Sequence, residues 1–193
     1  TPVTAHDFEY SWKRTLTPET AAEYSYIMAD IVGSSTKEIQ ENGVDGVGVK
    51  ALDDYTLEVK LNRPVAYFAE LVSFQVFFPQ NQAFVESCGD AYGSAADKQL
   101  YNGPFTLTSW KMEDQFTMEK NPNYWDAANV KLNKINTKVV KDTGAEVSLY
   151  EDGQIDRAIL SSDYVDKYKD SKELKTREVA SIFMLQINGG NHK

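Results

Sequence analysis

Cysteine is almost missing from this chain: Cys88 is the only one in 193 residues, so no disulfide can close within it and no thiolate metal cluster can form. A single thiol of this kind reads as a small buried hydrophobe. Histidine is nearly as scarce. His6 and His192 lie at opposite ends, and neither has a partner at metal-binding spacing. There is no Gly-x-Ser-x-Gly elbow, and Gly46-Val47-Gly48 lacks both the third glycine and a following helix, so neither a hydrolase nor a dinucleotide signature is present. Basic residues are outnumbered 29 to 20, giving a net charge of −9. That balance argues against nucleic acid as a partner, because affinity for phosphate backbones comes from clustered Lys and Arg. No 18 apolar residues run together, and the N-terminus has no Met, no basic start and no cleavage site, so nothing here reads as a membrane span or an export signal. Both ends read as cut from a longer chain. No catalytic residue, metal or cofactor is expected.

What is present is 41 % hydrophobic residues, enough to bury a core. Thr4-Ala5-His6-Asp7 has the spacing of a capped helix start, and Phe8, Trp12 and Leu16 follow at helical spacing, which predicts a helix over 4–15. Thr17-Pro18-Glu19 repeats the start signal and predicts a second helix running to Ile31. Ser35 is expected to cap a short helix through Glu41. The period then changes from helical to alternating. The runs 47–52 and 55–61 flank Asp53-Asp54, the pattern of a β-hairpin with Leu57, Val59 and Leu61 on one side. Short helices are expected over 65–72 and from Pro79 to Gly89, with loop over 90–101.

From Pro104 the chain reads as strands at 105–110, 116–120 and 135–140, the second ended by Asn121-Pro122-Asn123. Thr143-Gly144-Ala145-Glu146 resembles a capping box, opening a helix that ends at Gly153. Strands at 155–160, 174–179 and 182–187, with a short helix over 163–169, complete an α/β reading of the second half. Twenty-three aromatic residues supply large apolar area with polar handles, as a peptide-binding surface needs. For any one of them, core packing is the competing role. The Asp53-Asp54 pair is more simply a solvated turn than acid/base machinery.

Three stretches together resemble the oligopeptide- and dipeptide-binding family of ABC-importer solute receptors. Pro2 to Arg14 is similar to that family's first helix, and Val49 to Leu61 with Pro64, Tyr67 and Phe68 is similar to its hairpin. Asn102-Gly103-Pro104-Phe105 through Trp110, then Lys120 to Asp126, resembles its paired strands, and Gly153-Gln154-Ile155-Asp156 a later segment. The resemblance implies a mixed α/β (α+β) fragment of a class II periplasmic-binding-protein-like fold. Residues 1–95 would be most of a small extra domain, 96–180 the middle of the first large lobe, and 181–193 the start of the crossing to a second lobe. Trp12, Trp110 and Trp125 are read as core anchors.

The function implied is capture of an oligopeptide between lobes for import, without catalysis. Ligand-binding positions implied are Tyr26, with Tyr24 as an alternative one step out of register, and Ile182, Phe183 and Met184 on the cleft wall. Partners implied are the peptide and membrane permease subunits, with a lipid anchor outside this segment at an extracytoplasmic surface, that of a Gram-positive cell before a periplasm. Two other readings stay open: the same fold holding nickel, haem or another small ligand, and a surface pheromone-sensing or adhesion module.

Overall fold

The computed structural model describes residues 2–185, which fall into two compact units, Thr1–Lys138 and Val139–Lys193. In the first unit, helix α1 spans Ala5–Leu16. Its start is fixed by Asp7, whose carboxylate accepts the Thr4 backbone N–H at 2.8 Å and the Asn81 side-chain amide at 3.1 Å. One residue thus caps its own helix and ties down the start of helix α4, Gln82–Cys88, 74 residues later. Helix α2, Thr36–Asn42, carries the expected Ser35–Glu38 capping box. Strands β1, Val49–Asp53, and β2, Thr56–Val59, form the expected hairpin, but its turn is Asp54-Tyr55 rather than Asp53-Asp54, because Asp53 is still paired, opposite Thr56.

α1 lies against this hairpin, and the Glu9 carboxylate accepts the Ala51 backbone N–H at 2.8 Å. Trp12, Leu16, Met28, Ile31, Ile39, Val47, Val49 and Phe77 make the buried core. Helix α3 is limited to Phe68–Leu71, shorter than the 65–72 expected, because Val65 is already engaged in a tight turn to Phe68.

The sheet β3-β4-β5 comprises Phe105–Lys111, Gln115–Lys120 and Lys134–Lys138, all antiparallel. β4 ends at Asn121, which is buried; its side chain donates to Gly103 O at 2.9 Å and accepts Asn123 N–H at 3.0 Å. β5 stops at Lys138 rather than 140 because its last partner, Gln115, is the first residue of β4. Two expected core anchors are not core among the described residues. Trp110 is 39 % exposed and Trp125 85 % exposed, the latter in a turn where its ring lies 5.7 Å from that of Tyr124. Trp12 alone of the three is buried.

In the second unit, α5 spans Thr143–Glu151 and α6 Ser162–Tyr168. The α5 cap is Asp142, one residue before the expected Thr143, because Asp142 accepts the Ala145 N–H at 2.7 Å. Glu146 is thereby released to accept the Ile159 N–H at 3.0 Å. That bond also bears on a larger correction: the segments 155–160 and 174–179 are not strands, nor are Ile182–Leu185, while 186–187 lie outside the described residues. A strand needs a neighbour to satisfy its ladder, and no described strand lies beside these segments. Among the described residues no helix is long and apolar enough to cross a membrane.

Candidate functional site

The expected helix from Thr17 to Ile31 is replaced by two short 3₁₀ turns, Pro18–Thr20 and Ser25–Met28, separated by Ala21 in the left-handed region at φ 48°. From Tyr24 onward the chain advances by three-residue turns: Ile27 N–H bonds Tyr24 O at 3.1 Å, Ala29 N–H bonds Tyr26 O at 3.2 Å, and Ile31 N–H bonds Met28 O at 3.0 Å. Such turns repeat every three residues, so positions i and i+3 eclipse. Met28 and Ile31 therefore point together into the core, where they are 1 % and 0 % exposed. Tyr24 and Tyr26 stay exposed on the flank of this segment, while Ile27 packs half-buried against the core.

The flank meets the segment after α3. The Tyr24 ring stands edge-on to Phe74 with centroids 5.5 Å apart, and lies 6.1 Å from that of Tyr26. Tyr26 is 68 % exposed, and Tyr24 and Phe74 are each more than a third exposed. Three aromatic rings thus form one surface cluster, on a segment whose Met28 and Ile31 are anchored in the core. The sequence reading placed Tyr24 and Tyr26 as alternatives; the structure brings both together and adds Phe74. That third ring was a candidate only as one aromatic among many, since its contact with Tyr24 spans 50 residues. Ile182, Phe183 and Met184 belong to the other compact unit, where each is strongly exposed.

Elsewhere on the first unit are two open depressions of about 500 and 540 Å³ along the outer side of α1. Their charges are engaged within the fold. Lys13 bonds Glu9 at 2.8 Å, and Arg14 bonds Gln80 at 3.1 Å and lies over the Tyr92 ring. Burial acts to raise the Glu9 pKa, but the hydrogen bonds from Lys13 and the Ala51 N–H outweigh it and hold the carboxyl below its ordinary value. Among the described residues no group of three or more His, Cys, Asp or Glu could hold a metal. The aromatic cluster is the surface best built for contact: large, rigid area with hydroxyl handles.

Comparison with known proteins agrees with this architecture. Residues 1–192 match the model of the bacterial extracellular solute-binding proteins, family 5 Middle. The oligopeptide-binding protein OppA of Bacillus subtilis (strain 168) is 34 % identical over 192 residues, covering 97 % of this chain and 35 % of the relative. The crystal structure of an oligopeptide ABC transporter substrate-binding domain from Bacillus anthracis superposes with a TM-score of 0.83 at 47 % identity, over 88 % of this chain and 33 % of that one. Listeria monocytogenes OppA bound to peptide gives 0.83 at 43 %, over 89 % and 34 %. The chain thus spans about a third of the length of the relatives it matches, and its mixed helix and sheet fold is that of part of a periplasmic-binding-protein-like structure. The chain belongs to the bacterial extracellular solute-binding proteins of family 5.

Proposed function

We propose that this chain is part of the extracytoplasmic receptor of an ABC importer that captures oligopeptides. The observation that carries the reading is the exposed cluster of Tyr24, Tyr26 and Phe74 on a rigid backing, in a chain similar to proteins named for peptide binding. Residues 1–95 then correspond to the small extra domain, 96–180 to part of the first large lobe and 181–193 to the start of the crossing. The boundary between the two compact units, at Lys138, falls within the second of these parts.

In this arrangement a peptide lies extended, its main chain hydrogen-bonded as an added strand and its side chains taken by tolerant surfaces. The aromatic cluster supplies one such surface. Ile182, Phe183 and Met184 supply cleft wall: three consecutive apolar residues, 76–98 % exposed, offer apolar area to a ligand. Peptide selection is loose in such a site because main-chain bonds carry the affinity and apolar contact discriminates weakly.

The partners of the whole protein are its peptide and the permease subunits of the importer. We place the whole protein at the surface of a Gram-positive cell, held by a lipid anchor outside this segment; the Bacillus and Listeria sources of similar proteins favour the cell type alone. The test is native mass spectrometry of the full-length protein purified without denaturation. Co-purified peptides released by acid support the reading; a metal, haem or other non-peptide ligand in their place overturns it.

A further inference from the structure

The segment 24–31 touches the segment 61–74 at both of its ends. At one end Tyr24 meets Phe74. At the other, Ile31 pairs with Leu61 in an antiparallel bridge, and Asn62 N–H donates to Asp30 O at 2.8 Å. There Arg63 Nε donates to Asp30 Oδ1 at 2.9 Å, the Tyr67 hydroxyl donates to Asp30 Oδ2 at 3.3 Å, and Arg63 Nη2 lies 3.4 Å from that hydroxyl. Tyr24 and Asp30 stand near the two ends of that segment, so one seam carries aromatic rings at one end and a fixed guanidinium at the other.

Asp30 is spent as a support. Its side chain is 18 % exposed and both of its oxygens already accept a bond, whereas the Arg63 side chain is 62 % exposed. A guanidinium has five N–H groups in a rigid fork. The contacts with Asp30 and Tyr67 occupy the Nε–Nη2 edge, which leaves the Nη1–Nη2 edge for a second, bidentate acceptor. Seam length sets the spacing of what it can read. The 3₁₀ turn Ser25–Met28 and the tight turn after it, at no more than about 2 Å per residue, keep Tyr24 and Asp30 within roughly 12 Å of each other. An extended peptide covers that distance in at most about four residues at ~3.3 Å each, and residues two or four apart project to the same side.

We propose that Arg63 is a specificity-determining residue, receiving a ligand carboxylate within about four residues of the ligand side chain that meets Tyr24 and Phe74. The assignment rests on the peptide-capture reading above. It names a preference within it: peptides pairing an apolar or aromatic side chain with an acidic one at that separation.

The test uses the full-length protein and alanine-based heptapeptides holding Phe and, two or four positions away in either direction, Glu or Gln. Calorimetric titration is expected to show one Glu peptide bound about fivefold more tightly than its Gln twin, the scale of an exposed but well-oriented ion pair. The preference should vanish in Arg63→Gln and partly return in Arg63→Lys, which keeps the charge and loses the fork. The Gln peptides should bind all three proteins alike, which also shows that the variants are folded. Equal binding of Glu and Gln peptides by the unaltered protein overturns the Arg63 assignment and leaves peptide capture standing. Failure of every peptide to bind the unaltered protein overturns both.

Discussion

Trp12 is joined to Phe77 twice: its indole N–H donates to the Phe77 carbonyl at 2.8 Å, and its ring meets the Phe77 ring edge-on with centroids 5.0 Å apart. The two residues are 65 positions apart and both are almost fully buried, so this contact fastens α1 to the segment before α4. Trp12→Phe keeps most of the ring but leaves a buried carbonyl without its donor. That should cost about 1–3 kcal/mol. Trp12→Ala, which also opens a cavity, should cost about 3–5 kcal/mol. Urea unfolding followed by far-ultraviolet circular dichroism measures both, and a Trp12→Phe protein as stable as the parent would contradict the account of this contact.

Glu9 links acid stability to the α1–hairpin contact. Its carboxyl is held below the ordinary value of 4.5 in the folded chain, against the opposing effect of burial, by Lys13 and the Ala51 N–H. A carboxyl with a lowered folded pKa binds fewer protons than it does unfolded, so its contribution is full above about pH 5 and is lost as pH falls through the folded value. Glu9→Gln should therefore lower the melting temperature at pH 7 and narrow the gap to the parent as pH falls below the ordinary carboxyl range. A gap that stays constant from pH 7 to pH 3 would show that the charge of Glu9 is not involved.

Gly33 sits where a side chain has no room. Its φ is 73°, and a Cβ built there would lie 2.4 Å from the Gly46 carbonyl oxygen, a backbone atom that cannot swing aside. Gly93 has a similar φ of 79° but open space around it. Gly93→Ala should cost about 1 kcal/mol for the backbone conformation, and Gly33→Ala clearly more because the clash adds to the same term. Thermal melts of the pair separate the two effects, and equal losses would remove the close approach from the explanation.

The elements legible in the sequence are those specified by neighbours in sequence. The start of α1, the Ser35–Glu38 box, the β1-β2 alternation and the Asn121 strand end all rest on residues within a few positions of one another. Readings that depended on distant partners fared differently. Thr17 to Ile31 carries a helix start signal, yet the core takes Met28 and Ile31 three apart rather than a continuous helical face. Ile155–Leu160 and Leu174–Val179 have strand composition without a described strand beside them. Tyr24 and Tyr26 were legible through family resemblance. Phe74, Asp30 and Arg63 were not singled out, because nothing local reveals that the chain around residue 70 folds back along residues 24–31.

The central claim is that the ring cluster contacts a peptide held by a larger protein. The most direct measurement is calorimetric titration of a mixed short-peptide library into the full-length protein, into the same protein carrying Tyr24→Ala, Tyr26→Ala and Phe74→Ala together, and into the 193-residue chain alone. The account predicts binding by the full-length protein, at least tenfold weaker binding by the triple variant at roughly 0.5–1.5 kcal/mol per lost aromatic contact, and no measurable binding by the short chain. Equal affinity in the full-length protein and its triple variant, or tight binding by the short chain alone, would contradict it.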